Sequence, residues 1–538
     1  MRRSIFINED DAHFYSCHKA EDMSEEGLRN LVDYYAKDSQ VAGVLFCCSM
    51  QKALFDSKTR EPLYEGYDPD GGPNQPILKL LDPKHREVIP GDHARNWIHN
   101  LWLLNRGRHI NHLQIWLDRC RHHKIEGWLT MRMNDAHGLK EYVQRMSGES
   151  NYADWCLLCQ SKFWKEHPEL CRAPYRWERS WENAYDYSHE AVRNHYLSFI
   201  REVTETYDMD GMELDWMRWG MNFKPGHETA GRSILNAFVA EVRKLLDACA
   251  KRVKHPVRLS VRVPAEPRVG WNLGYDAPAW VRQGLVDQVV IGSFGGCSNF
   301  DVSVEEWRLL TDNRARLLVQ AGGAYQPYPY FKGPLLGHDD LQRGVCANAL
   351  SRGADGVYLF NDCYRESGDR DVFKKVLQEI GDISTLVNAS RRHGTAFSGM
   401  GAAGGPVSAT LPIPLTCPQH GYDFGRMEDN ISVRIFTGSV PTKGSAVLHL
   451  GFSTETPHLS ADQFCVRMNT VPLKPTGDSV KSALEVNVIN WCKPMSGIGQ
   501  MLRYEIPLQL LFRDSNMIEF VPPKVPGELC WAEISFNV

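Results

Sequence analysis

The stretch Asp210-Gly211-Met212-Glu213-Leu214-Asp215-Trp216-Met217-Arg218-Trp219 decides how the chain is read. It follows an amphipathic run over residues 190–207 that has the period of a helix. Its own period is two. Glu213, Asp215 and Met217 fall on one face of a strand, and Met212, Leu214 and Trp216 on the other. The second face is wholly apolar, as expected where helices pack. The first carries two acids, which suits a strand whose inner face opens into a polar barrel mouth. Both are candidate catalytic carboxylates. Glu213, deeper in the strand, reads more readily as a structural acid paired with a buried arginine.

Working outward, apolar runs at residues 4–8, 41–48, 126–133, 258–263, 287–294, 316–321 and 356–361 read as seven further strands. Helical patterns separate them, at 25–36, 110–123, 190–207, 229–252, 277–284, 304–313 and 339–352, and a last one spans 371–379. Eight strand–helix units in a row predict a (β/α)8 TIM barrel over residues 1–385. Two long polar segments, 49–95 and 134–187, exceed ordinary connections; 49–95 and 134–181 are expected to wall a cleft, with Tyr64, Tyr67, Trp155, Trp177 and Trp181 as aromatic platforms. Residues 386–412 are rich in Gly, Ala and Ser and read as a linker. Beyond them short β-rich runs at 431–436, 446–452, 463–468, 483–487, 503–507, 515–520 and 530–536 predict a β-sandwich over residues 413–538.

Composition narrows the classes of function. The 538 residues are too many for one core. A net charge of −5 supplies no attraction to nucleic acid or to an anionic membrane, so neither partner is expected. No apolar run is long enough to span a bilayer. The opening Met1-Arg2-Arg3-Ser4-Ile5-Phe6-Ile7-Asn8-Glu9-Asp10-Asp11 turns acidic at once and lacks the apolar core of a signal peptide. Fifteen cysteines without a regular framework favour a reducing compartment, so a cytoplasmic chain is expected, with export after removal of a signal left open.

In a barrel the site lies at the C-terminal ends of the strands. Reading those ends by parity gives Asn8 and Asp10 on the first strand. The third gives Arg132 and Asn134, with Asp135 and His137 just beyond, and the fourth gives Glu213 and Asp215. The fifth gives Arg262, with Glu266 in the following loop. Gln320 ends the seventh, and Asp362 follows the eighth. Arg132, Arg218 and Arg262 are candidates to read an anionic substrate through their two-pronged guanidinium groups, unless Arg132 and Arg262 simply neutralise Glu213 and Asp215. Arg218, of opposite parity to Asp215, is expected to lean out at the rim.

A resemblance sharpens the reading. Trp181-Glu182-Asn183-Ala184-Tyr185-Asp186-Tyr187-Ser188-His189-Glu190-Ala191-Val192-Arg193 runs on to Tyr207-Asp208-Met209-Asp210-Gly211. With Phe163-Trp164-Lys165-Glu166-His167-Pro168-Glu169, it resembles bacterial glycoside-hydrolase-like TIM barrels, in which an aromatic-rich helix start precedes an Asp-Gly-x-x-x-Asp strand. The likeness is clearest over residues 160–220, and the barrel-plus-sandwich layout extends it over most of the chain. It implies hydrolysis of an oligo- or polysaccharide by two carboxylates, without a cofactor or metal. The chitinase pattern places a proton-donating Glu where this chain has Met217, which argues against that chemistry. A strand-four Asp nucleophile with a strand-five Glu acid fits Asp215 and Glu266 better. A strand-seven nucleophile would find Gln320, Gly322 and Gly323.

Two rivals stand beside this reading. One is a carbohydrate-binding barrel without turnover. The other is a metal-dependent hydrolase or lyase built on Asp10, Asp135, His137 and Asp362. Cys156, Cys159, His167 and Cys171 have zinc-ligand chemistry without a recognised spacing, and His13, His109, His112, His122 and His123 show no metal spacing.

Overall fold

A computed structural model describes residues 3–86, 93–151, 153–175, 180–292, 299–322, 339–395, 411, 413–415, 431–463, 465–476, 498–523 and 525–538. Eight parallel strands follow one another round a closed barrel. They are β1 (Ile5–Glu9), β2 (Val41–Ser49), β3 (Glu126–Arg132), β4 (Gly211–Asp215), β5 (Arg258–Pro264), β6 (Gln288–Gly292), β7 (Arg316–Gln320) and β8 (Gly356–Leu359). The seam between β8 and β1 is short, with Ile5, Phe6 and Ile7 opposite Val357, Tyr358 and Leu359. This is the expected TIM barrel.

The period-two pattern of β4 places its residues as predicted. Met212, Leu214 and Trp216 are buried in the helix-facing core, where the Trp216 ring meets Tyr187 and Phe238. Phe238 belongs to the helix Glu228–Val253. The inner face starts at Gly211, where a Cβ would run into the Trp128 ring. That ring helps fill the barrel together with Phe6, Leu45, Val290, Leu318, Tyr358 and Phe360. The glycine of the Asp-Gly pair is therefore a packing requirement of the barrel floor.

Small differences mark the strand ends. The sixth strand is described over Gln288–Gly292, and the rest of its expected span, to 294, lies outside the described residues. The eighth stops at Leu359, because Asn361 takes a left-handed backbone, φ 59°, and turns the chain away.

The two long insertions meet at the C-terminal end of the barrel. Gln51 Nε2 donates to the Asp135 carbonyl at 2.8 Å, and the Ser161 N–H donates back to Gln51 Oε1 at 3.1 Å. Trp97 Nε1 donates to the Asp11 carbonyl at 2.9 Å. Tyr64 and Tyr67, expected as platforms, are buried instead, holding Asp56 and His99. Both rings are buried, so they serve the loop's own small core while their hydroxyls hold its polar side chains.

Among the described residues, ten further strands follow the barrel: β9 (Arg391–Gly394), β10 (Ile413–Pro414), β11 (Ile431–Phe436), β12 (Ser445–Ser453), β13 (Val466–Met468), β14 (Val471–Pro472), β15 (Lys474–Pro475), β16 (Ile498–Ile506), β17 (Ser515–Phe520) and β18 (Glu528–Asn537). They form two antiparallel sheets, one ordered β10-β18-β12-β16-β15 with β9 also on β18, the other β11-β17-β13-β14. Phe452 and Phe520 touch across them. The expected strand at 483–487 lies outside the described residues.

Within the stretch read as a linker, Arg391–Gly394 forms β9. Its polar residues are matched one by one. Arg392 pairs with Glu533 on β18, and His393 Nδ1 meets Asn348 Oδ1 at 2.8 Å. Asn348 lies on the barrel helix Asp339–Ser351. Gly344 of that helix lies so near the Arg392 carbonyl that a Cβ would not fit. The sheets are thus fastened to the barrel through close backbone contact. Among the described residues, no helix is long and apolar enough to cross a membrane.

Candidate active site

Two polar layers stack inside the barrel. The lower one centres on Glu213, which is fully buried. Its carboxyl accepts from Tyr358 Oη at 2.8 Å across the barrel, from Thr130 Oγ1 at 2.9 Å and from Ser260 Oγ at 3.3 Å. None of these is a guanidinium, so the arginine partner expected for Glu213 is replaced by three hydroxyls. Burial, then the charge of Asp215, pushes its pKa up to about 7. On β1, Asn8 is buried, and its Oδ1 has no hydrogen-bond partner among the described residues.

The upper layer is a chain of alternating charge across the mouth. Arg262 Nη1 donates to both oxygens of Asp215 at 3.0 Å, and its Nη2 donates to Gln320 Oε1 at 2.6 Å. Asp215 also accepts from the Met217 N–H at 2.9 Å. Arg218 Nη2 donates to Asp10 Oδ1 at 3.2 Å and to Asn361 Oδ1 at 3.3 Å, while its Nε stands 3.7 Å from Asp215. Arg132 then meets Asp10, Asp11 at 2.5 Å and Asp135 at 2.9 Å. Phe360 lies under this chain, its ring centre 3.9 Å from the Arg262 guanidinium carbon and 4.5 Å from that of Arg218.

Two expectations about the arginines change. Arg132 neutralises Asp10, Asp11 and Asp135 instead of Glu213, because it sits at the level of Asp215 and one layer above Glu213. Arg218 does not lean out at the rim. It turns back over Phe360, where two carboxylates and the Asn361 amide oxygen face it. Asn361 and Trp219, which flank this contact, both hold left-handed backbones, with φ of 59° and 53°. Such conformations in residues other than glycine gather at functional sites.

The electrostatics follow from the pairing. Burial works against the Asp10 carboxylate, but Arg132 and Arg218 outweigh it and hold its pKa well below the usual range. Asp11 goes the other way, raised by burial and by Asp10 beside it. Asp10, Asp11, Asp135 and Asp215 thus alternate with Arg132, Arg218 and Arg262 across the mouth. Asp135 accepts from His137 Nδ1 at 2.8 Å and from the His137 N–H at 2.9 Å. Burial of Asp135 is overcome by His137 and Arg132, which hold it low. His137 is itself held below the ordinary histidine range by burial. Its neutral form donates from Nδ1, leaving Nε2 as the acceptor. Trp219 lies edge-on at 4.1 Å between ring centres and Trp155 at 5.7 Å, and Trp155 is 39% exposed.

The other candidates are placed as follows. Asn134 is a loop clamp. Its Nδ2 donates to Tyr185 O and Asn222 Oδ1, and its Oδ1 accepts from the Tyr185 N–H. Asp362 accepts from Gln342 Nε2 behind Gly322. Glu266 is half-buried and opens the helix Pro267–Asn272, two residues past β5. Trp181 belongs to the short helix Ser180–Asn183, but its side chain, like Trp177, lies outside the described residues. Parity reading passed over Asp11, Tyr358, Phe360 and Trp219. Tyr358 and Phe360 could have been found, since they share the inward parity of β8. Asp11 and Trp219 carry no signal of their own.

Donor groups that converge on a point, as a metal needs, are two among the described residues: Glu9, His13 and Cys363, and His13, His18 and Glu366. Neither is the set Asp10, Asp135, His137 and Asp362, in which Asp10 and Asp135 lie on Arg132 and Asp362 on Gln342. Cys156, Cys159, His167 and Cys171 form no such group either, and His167 faces Glu169.

No protein-family model matches the sequence, and no curated protein matches it. Solved structures with a similar fold include the α-L-fucosidase isoenzyme 2 from Paenibacillus thiaminolyticus, with 13% identity, a TM-score of 0.41, and coverage of 70% of this chain and 48% of that one. The glycoside hydrolase domain of PgaB (BpsB) from Bordetella bronchiseptica has 9% identity, a TM-score of 0.40, and coverage of 70% and 99%. A glycoside hydrolase family 18 N-acetylglucosaminidase from Paenibacillus barengoltzii has 11% identity, a TM-score of 0.35, and coverage of 70% and 100%. The chain thus spans about half the length of the fucosidase. Likeness at this level assigns neither substrate nor residue roles.

Proposed function

We propose that the chain is a glycoside hydrolase working at the C-terminal mouth of its barrel. The observation that carries this is Asp215 itself, a carboxylate at the end of β4, inside a ring of polar groups drawn from β1, β3, β5, β7 and the turn after β8. In the reaction Glu266 gives its proton to the glycosidic oxygen as the C–O bond breaks. Asp215 either attacks the anomeric carbon or takes a proton from the attacking water. Asp10, Asp135, His137, Arg132, Arg218, Arg262, Gln320 and Asp362 form the surroundings that bind and orient sugar hydroxyls. Glu213 lies beneath and acts on Asp215 through charge.

The test uses purified full-length protein on a panel of glycosides and polysaccharides. Hydrolysis that Asp215→Ala abolishes and that azide restores as a glycosyl azide identifies the nucleophile. Glu266→Gln should spare substrates with good leaving groups. Hydrolysis unchanged in both variants would overturn the assignment.

One observation favours a second reading, a carbohydrate-binding barrel without turnover. Asp215 is only 2% exposed, with both oxygens on Arg262. Glycan binding without turnover of any bound glycan would decide for it.

A further inference from the structure

Behind the mouth, at the seam where β1 and β8 close the barrel, four ionisable side chains converge from opposite ends of the barrel sequence. His13 lies on the helix His13–Cys17 and His18 just after it. Glu366 lies on the helix Arg365–Gly368. Glu9 is the last residue of β1.

We propose that His13, His18 and Glu366 bind a divalent transition-metal ion of the zinc type, which staples the first unit of the barrel to the last.

Three observations carry the inference. The first is the crowding on one oxygen. Glu366 Oε2 is approached by His18 Nε2 at 3.0 Å, Ser367 Oγ at 3.1 Å and His13 Nε2 at 3.7 Å. Donors around a four-coordinate zinc, with bonds of about 2.0–2.2 Å, stand about 3.3 Å apart. The three ligand atoms lie within 4.8 Å of one another, with Ser367 Oγ 2.9 Å from His13 Nε2.

The second is the support behind the ligands. His13 Nδ1 meets Glu9 Oε1 at 2.6 Å, and Glu9 Oε2 accepts from Tyr35 Oη at 2.7 Å. A carboxylate on the remote nitrogen fixes the ring and directs the Nε2 lone pair to the ion, as around histidines that bind zinc. His18 is fixed through its backbone, since Asn100 Nδ2 donates to its carbonyl at 3.2 Å and to that of Tyr15 at 2.7 Å.

The third is charge and access. Glu9 and Glu366 are both about 1% exposed, and Arg370 meets Glu366 at Oε1. A divalent ion would meet this buried negative charge. Two imidazoles select a zinc-type ion over magnesium or calcium. His18, 18% exposed at its side chain, gives the path in. Cys363 adds a thiol within 4.8 Å of the donors of Glu9 and His13.

The inference is independent of sugar chemistry. Untagged full-length protein is stripped with chelator, then titrated with Zn2+ and with Co2+, and its bound metal is measured by elemental analysis. One ion per chain, the visible absorption of tetrahedral Co2+, and a chelator-reversible rise in Tm are expected. His18→Ala should weaken Zn2+ binding at least roughly 100-fold, and Glu9→Gln, behind the ligands, roughly 10- to 100-fold. No stoichiometric Zn2+ or Co2+ on the parent protein overturns the proposal whether or not the variants fold. So does binding that a folded His18→Ala, or a folded His18→Asn made alongside it, leaves unchanged. The cluster is then a hydrogen-bonded network of imidazoles and carboxylates.

Discussion

Glu213 and Asp215 leave the same face of β4 two residues apart, the first into a ring of hydroxyls, the second into a ring of guanidinium groups. The difference is one layer of barrel. The lower layer is closed by Trp128, Tyr358 and their neighbours, and an acid there meets only neutral donors. The upper layer opens towards the loops, where Arg132, Arg218 and Arg262 arrive from three directions. A carboxylate in the first setting rises in pKa. Carboxylates in the second alternate with guanidinium groups. Depth in the barrel therefore separates the acid held by hydroxyls from the acids held by guanidinium groups.

The sharpest way to break the comparison is at the upper acid. Asp215→Asn keeps the shape and should lower kcat/KM at least about a thousandfold, roughly 4 kcal/mol, while leaving the fold intact. Steady-state kinetics on any glycoside turned over by the parent checks it, and retained activity would reduce Asp215 to a structural partner of Arg262. Arg262→Met removes the cation and leaves Asp215 buried. It should cost about 3–5 kcal/mol in chemical denaturation, and Asp215→Asn in the same chain should restore part of that loss.

The lower acid makes the opposite prediction. Glu213 has a folded pKa of about 7, above its ordinary value of 4.5. Its contribution to stability is therefore complete below about pH 4.5 and is lost as pH rises through about 7. Glu213→Gln should be more stable than the parent by roughly 1–3 kcal/mol at about pH 8 and nearly equal to it at about pH 5. A difference independent of pH would show that Glu213 is paired like Asp215. The smallest effect is expected at the rim. Trp155→Ala should leave stability within about 0.5 kcal/mol and raise KM about two- to tenfold, the scale of one aromatic contact.

Much of this site is legible in the amino-acid sequence, because a barrel strand reports its two faces through alternation. Gly211, Glu213 and Asp215 point inward, and Met212, Leu214 and Trp216 point outward, as parity requires. The same rule brings Asp10, Arg132, Arg262 and Gln320 to one layer. It fails where the chain leaves the strand. Parity puts Arg218 outside, yet it turns in, because the left-handed Trp219 and the Asn361 amide redirect the loop, and neither conformation is written in residue type. Tyr64 and Tyr67 look like platforms because they sit in a polar insertion, yet that insertion folds a small core of its own.

The sequence by itself determined what local periodicity and residue chemistry can determine: eight strand–helix units, the β-rich region after them, and which acids and arginines share an inner face. Only the tertiary structure decided the pairing. Arg132 chooses Asp10, Asp11 and Asp135 over Glu213, β9 joins β18 at the far end of the chain, and His13 and His18 meet Glu366 across the barrel seam. The physical reason is that closing the barrel joins its first strand to its last. Ligands and ion partners are then chosen by distance in space, and no spacing along the chain records that distance.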